Sequence, residues 1–168
     1  MAIRVGDRIP SVTFKWMGSE SPIDVRSSTT DEVFRGKTVA VFGLPGAYTP
    51  VCSEEHLPGF VRHAEELKAK GIDAITCISV NDPFVMQAWA QELNVSNDVM
   101  MLCDPKVEFT NAVGLCLDLS DFGLGDRSER YSMLVEDGVV KALNVEESIL
   151  SCEMSSAEAL LEQVEACV

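Results

Sequence analysis

Thr38-Val39-Ala40-Val41-Phe42-Gly43-Leu44-Pro45-Gly46-Ala47-Tyr48-Thr49-Pro50-Val51-Cys52 is the stretch that decides how this chain folds. Its first part, Thr38 to Gly43, is a continuous apolar run rich in β-branched residues, the pattern of a strand buried on both faces. Its second part breaks that pattern with two prolines and a glycine and leads into a helical segment. The expectation is a strand-to-helix turn with Cys52 at the helix start. A thiol there faces unpaired backbone N–H groups and the positive end of the helix dipole, which favour thiolate over thiol. Thr49, three residues earlier, offers a hydroxyl to whatever approaches the sulfur, and Pro45 and Pro50 stiffen the turn. These pieces point to cysteine redox chemistry.

Outward from the turn, strands and helices alternate. Ahead of it, Thr13-Phe14-Lys15-Trp16 reads as an early strand with Ile23-Asp24-Val25 as its hairpin partner. Behind it, Pro58-Gly59 is expected to interrupt the helix. Phe60, Val61, Ala64 and Leu67 then resume helical spacing up to a Gly71 cap. Ile72 to Val80 reads as a second buried strand, and Asn81-Asp82-Pro83 opens a helix carrying Phe84, Val85, Ala88 and Trp89. Val99 to Cys103 is a third strand, and Glu108 to Val113 a short helix. Tyr131 to Val135 and Val139 to Val145 form a hairpin about Asp137-Gly138. Ser155-Ser156-Ala157-Glu158 reads as a capping box for a last amphipathic helix. The sum is one α/β domain over residues 1–168: a central mixed sheet flanked by helices, thioredoxin-like, with an N-terminal β-hairpin.

Composition narrows the partners. The chain has 168 residues, 46% hydrophobic, enough for one full core. A formal net charge of −14 repels nucleic acid. No apolar run approaches the ~18 residues of a membrane span. The opening residues carry charges where a secretory signal would be apolar, so the expected setting is cytoplasmic, with an organellar one after removal of a transit peptide left open. Six cysteines are dispersed, without a CxxC pair and without metal-type clustering with His56 and His63. No metal or organic cofactor is implied.

Four motifs in order carry a resemblance: Phe42 to Cys52, then His56-Leu57-Pro58-Gly59-Phe60, then Cys77-Ile78-Ser79-Val80-Asn81-Asp82-Pro83-Phe84-Val85-Met86, then Gly125-Asp126-Arg127-Ser128-Glu129-Arg130-Tyr131-Ser132-Met133. With these, nearly the whole chain resembles the peroxiredoxins of the type II, atypical two-cysteine group. The resemblance implies a thiol peroxidase acting on hydrogen peroxide and small alkyl hydroperoxides. It implies Cys52 as the attacking thiolate and Pro45, Thr49 and Arg130 as the rest of the site. Attack moves negative charge onto the leaving oxygen, and the Thr49 hydroxyl and Arg130 guanidinium are expected to donate to it. The resolving thiol is either Cys77 or Cys152, each matching a position used within the group. If neither resolves, glutathione or glutaredoxin reduces Cys52 directly; thioredoxin is the other donor the resemblance implies. A homodimer through loops near the site is implied too, with Phe84 and Trp89 either at that contact or in the core.

Other readings stay open at this level. A peroxide sensor would need a reactive Cys52 without a full transition-state site. A cysteine hydrolase would need a histidine base, and His56, four residues after Cys52, shares its helix face. The Pro-Gly that follows favours a structural hydrogen bond for His56 instead. Arg130 lies among Arg127, Glu129 and a strand start, where a surface ion pair is the default reading; its match to the resembled pattern raises it well above Arg127. Glu54 and Glu55 oppose a thiolate by charge yet suit a helix N-terminus. Cys103, Cys116 and Cys167 read as structural or incidental.

Overall fold

In the computed structural model, which describes residues 1–166, the Thr38–Leu44 run is strand β3 near the middle of a seven-stranded sheet. The other strands are β1 (Thr13–Met17), β2 (Val25–Thr29), β4 (Ala74–Ser79), β5 (Val99–Cys103), β8 (Tyr131–Glu136) and β9 (Val139–Val145), in the order β2-β1-β5-β4-β3-β8-β9. β3 runs parallel to β4, and β4 to β5; the remaining pairs are antiparallel, so the sheet is mixed. Strands β6 (Cys116–Asp118) and β7 (Asp126–Ser128) form a separate pair that leads into β8.

Alternation along β3 builds two cores. Ala40, Phe42 and Leu44 face helices α2 (Leu57–Arg62), α3 (Ala64–Ala69), α4 (Pro83–Glu92) and α6 (Ala157–Ala166), packing against Phe60, Leu67, Trp89 and Leu160. Val39 and Val41 face the other way, onto Phe34 of α1 (Thr30–Phe34) and Phe109 of α5 (Glu108–Ala112). A strand covered on both faces needs no polar alternation, which is why this run reads as it does. Gly43 is required where it stands, because any Cβ there would enter the Tyr131 ring. Of the two aromatics on α4, Trp89 is core and Phe84 is half exposed. No helix among the described residues is long and apolar enough to cross a membrane.

Several sequence expectations are corrected. The hairpin partner of β1 begins at Val25 and runs to Thr29; Ile23 lies in the connection, exposed. Pro58-Gly59 does not break the helix. Cys52–His56 is a π-helical turn, Leu57 N–H bonding the Cys52 carbonyl, and α2 continues from it. A proline tolerates the first turn of a new hydrogen-bonding register, where its missing N–H is not needed. The break comes at His63 instead. The last helix is capped by Ser156, whose hydroxyl accepts from Ala159 N–H; Ser155 is bound elsewhere and Glu158 reaches His63. A true capping box, Thr29 with Glu32, opens α1. Cys167 lies outside the described residues.

Candidate active site

The turn between β3 and α2 is held from three sides. The Asn81 side-chain oxygen accepts from Ala47 N–H at 3.0 Å, and the Pro45 carbonyl accepts from Arg127 Nη1 at 3.1 Å. The Thr49 hydroxyl donates to the Gly46 carbonyl at 2.7 Å. A Cβ at Gly46 would displace the Arg127 guanidinium from this place. Tyr48 sits at φ 63°, a left-handed conformation that costs a non-glycine residue about 1 kcal/mol or more. Such strain persists only where surrounding contacts over-determine the backbone.

Cys52 begins the π-helical turn and has no accessible surface. Its Sγ accepts from Arg130 Nη2 at 3.2 Å. Arg130 stands at the end of the β7–β8 connection and is itself 2% exposed. Its Nε and Nη2 both reach the Ile149 carbonyl, at 3.2 and 2.9 Å, and Nη1 lies 3.1 Å from His56 Nδ1. The guanidinium is placed to compensate negative charge arising at this sulfur.

His56 Nε2 lies 3.0 Å from the Ser155 carbonyl. A carbonyl only accepts and a guanidinium only donates, so Nε2 carries the proton and the Nδ1 lone pair faces Arg130. Burial first, and then the Arg130 charge, pull the imidazole down to about 3, against the Ser155 hydrogen bond. His56 is neutral, and its one lone pair is occupied. It is no base for Cys52, and the hydrolase reading fails on this geometry.

Four residues expected from sequence meet in this turn. Cys52, Arg130 and Pro45 are buried, and Thr49 is half-buried beside them. Thr49 corrects its expected role: its hydroxyl hydrogen is spent on Gly46, leaving lone pairs to accept an O–H from an incoming molecule. Arg127 was underestimated. It bonds Pro45 and Leu124 carbonyls, and although burial lowers its basicity, the neighbouring Cys52 charge acts the other way. The Gly46–Arg127 proximity is a long-range contact without a local signal.

Two further thiols flank Cys52. Cys77, on β4 opposite Phe42, is fully buried; burial, with Cys52 and Cys103 nearby, pushes it well above the ordinary range, while Arg130 opposes. Cys152 lies half-buried after β9, in a shallow cleft of about 190 Å³ shared with Glu54, Glu55, Arg62 and Glu158. Burial raises it to about 11, with Arg130 and a Ser155 hydrogen bond opposing. Cys103 is raised to about 12, chiefly by burial. All five described cysteines are free thiols, and no cluster of metal-binding side chains occurs among the described residues.

Comparison with known proteins shows the family. Residues 4–161 match the Redoxin family model. Peroxiredoxin-2B of Arabidopsis thaliana is 44% identical over 144 residues, 86% of this chain and 88% of that protein. The chain belongs to the peroxiredoxins. The chloroplastic peroxiredoxin-2E of Arabidopsis thaliana is 50% identical over 148 residues, 87% of this chain, which spans 63% of that relative's length. A crystal structure of reduced Prx3 in complex with hydrogen peroxide from Vibrio vulnificus superposes with a TM-score of 0.89 at 43% identity, covering 97% of this peroxiredoxin and 96% of that one. The fold is thereby thioredoxin-like in the peroxiredoxin manner.

Proposed function

We propose that this chain is a thiol-dependent peroxidase for hydrogen peroxide and small alkyl hydroperoxides, with Cys52, Arg130, Thr49 and Pro45 as its site. The observation that carries the reading is the Arg130 Nη2 donor, 3.2 Å from the sulfur of a fully buried Cys52. The Cys52 thiolate attacks the terminal peroxide oxygen; the S–O bond forms as the O–O bond breaks. The leaving oxygen takes up, through solvent, the proton that the Cys52 thiol gave up on ionising and departs as water or alcohol, and Cys52 becomes sulfenic acid. The peroxide O–H donates to the Thr49 lone pairs, which aligns the O–O axis on the sulfur, while Arg130 offsets the charge that moves along it. Pro45 closes the turn against Arg127, its carbonyl accepting from Nη1. Superposition on a peroxide-bound relative supports the substrate class.

A second thiol then condenses with the sulfenic acid, releasing water and forming a disulfide. Cys77 is the internal resolving thiol in this reading, and glutaredoxin with glutathione, or thioredoxin, reduces the product. Its proximity to Cys52, strong enough for the two charges to interact, favours it. Cys152 is the second reading, favoured by its partial exposure on a cleft shared with the Cys52 helix. Exposed Tyr48, Phe84 and Phe122, on elements around the turn, support a homodimer through this end of the molecule. The compartment in this reading is a reducing one, cytoplasmic or organellar; relatives named as chloroplastic and mitochondrial support the organellar setting.

The test is peroxide consumption with each donor by the wild type and by Cys52→Ser. Repeated turnover that vanishes in Cys52→Ser is the expected result. A single stoichiometric oxidation would make the protein a sensor, and retained turnover in Cys52→Ser would move the chemistry elsewhere.

A further inference from the structure

The orientation of a buried guanidinium needs more than one anchor. Arg130 grips the Ile149 carbonyl with its Nε and Nη2 edge. A single acceptor atom is a pivot: the guanidinium plane can swing about it, carrying Nη2 off the Cys52 sulfur. The second anchor is His56 Nδ1, 3.1 Å from Nη1 on the far corner of the same plane. The imidazole is in turn held at Nε2 by the Ser155 carbonyl, and Ser155 is held by Glu146, whose Oε1 accepts from the Ser155 and Glu153 amides.

Packing alone does not account for a histidine here. Phe42 and Phe60 stack at 4.1 Å, and the His56 ring completes their group at 5.1 and 5.7 Å. A third phenylalanine would fill such a slot without the cost of burying two ring nitrogens. His56 is 1% exposed; its Nδ1 faces Arg130, which bonds Cys52, and its Nε2 is spent on the Ser155 carbonyl. The groups facing it are Arg130, the Ser155 carbonyl and the two phenyl rings, with no carboxylate in contact among the described residues.

We propose that His56 is a positioning residue: as the Nε2–H imidazole it locks the Arg130 guanidinium onto the Cys52 sulfur and couples that lock to the 146–155 segment. This rests on Cys52 being the reactive thiol proposed above, and the experiment reads the thiol separately from turnover. His56→Leu keeps bulk but removes the acceptor; His56→Asn returns an amide oxygen at the position of Nδ1. In the proposal, His56→Leu slows Cys52 alkylation by iodoacetamide, mapped by mass spectrometry, and first-turnover oxidation by peroxide, each about tenfold at neutral pH. Its alkylation profile moves to higher pH, and His56→Asn stays within about threefold of wild type. A folded His56→Leu protein with wild-type rates and profile, or an Asn variant as slow as the Leu variant, overturns the proposal. If the Leu variant does not fold, the ¹⁵N spectrum of the wild-type imidazole decides. A ring protonated on Nε2 and bare on Nδ1 from about pH 5 to 8 supports the proposal. A ring that titrates in that range, or carries its proton on Nδ1, overturns it. Normal alkylation and oxidation of Cys52 without repeated turnover would instead be a failure of the peroxidase reading.

Discussion

The β4 strand with Cys77 and the 146–155 segment with Cys152 approach Cys52 in opposite ways. Cys77 has no accessible surface and sits between two parallel neighbours, so it cannot move; Cys52 must come to it. Cys152 lies in an irregular segment and can move, but that segment also supplies the Ile149 and Ser155 carbonyls that anchor Arg130 and His56. Bringing Cys152 to Cys52 would dismantle the cation's seat. Bringing Cys52 to Cys77 requires unwinding one turn. That turn is π-helical and comes soon after a residue at positive φ. The thiol that looks less accessible therefore has the less expensive route.

Arg130 is common to both routes, and its loss is the largest effect expected after that of Cys52. Arg130→Met should lower the single-turnover rate with hydrogen peroxide about 10²- to 10³-fold, because the guanidinium faces the charge that develops during attack. Stopped-flow oxidation measures it. A change under about threefold would mean that Arg130 serves packing rather than the reaction.

The comparison itself breaks on Cys77→Ser against Cys152→Ser. With Cys77 as the resolving thiol, Cys77→Ser should reduce thioredoxin-supported turnover about tenfold while first oxidation of Cys52 stays within about twofold. Cys152→Ser should leave both unchanged. Peptide mapping after one equivalent of peroxide should show a Cys52–Cys77 disulfide. The variants should also differ in stability: a hydroxyl in the β4 core costs about 1–3 kcal/mol, and one in the half-buried segment under about 0.5 kcal/mol. The reverse pattern in turnover would give the resolving role to the segment.

Much of this was legible in the chain. The β3 run, the Cys52 turn and the β8–β9 hairpin each follow from local patterns, and Arg130 followed from its motif. What escaped reading has a common cause. Arg127 reaches Pro45 across 82 residues of sequence, and Ser155 serves Glu146 and His56 instead of a helix cap. Each of these depends on a tertiary partner, which a capping or turn pattern does not encode. The π register at Cys52 likewise depends on Pro58 and on packing, not on composition.

Acid stability tests the half of the comparison that includes the segment. His56 titrates at about 3 in the folded chain against 6.5 when free. Between those values the unfolded chain binds a proton that the native state refuses, so stability is full above pH 6.5 and falls as pH drops toward 3. The slope is about 1.4 kcal/mol per pH unit from this one group. Denaturant midpoints in this window should show one proton's dependence more in the wild type than in His56→Asn. Equal slopes would mean that the imidazole takes up its proton in the folded state and that the Ser155 and Arg130 contacts do not hold it neutral.

The smallest effect bears on the turn. Trp89 on α4 is buried, and its indole N–H donates to the Ser53 hydroxyl at 3.0 Å, one residue beyond Cys52. That bond fastens the π-helical turn to α4 and must break if Cys52 leaves for Cys77. Ser53→Ala strands the indole N–H and should cost about 1 kcal/mol of native stability. The same change removes one of the bonds lost on unwinding, so it should speed formation of the Cys52–Cys77 disulfide about fivefold while leaving the peroxide step alone. Trp89 should report the opening directly, its fluorescence changing with disulfide formation and not with sulfenic acid formation. If Ser53→Ala weakens the fold but leaves the rate of disulfide formation unchanged, the turn does not open on the way to the disulfide. The route through Cys152 then becomes the better account.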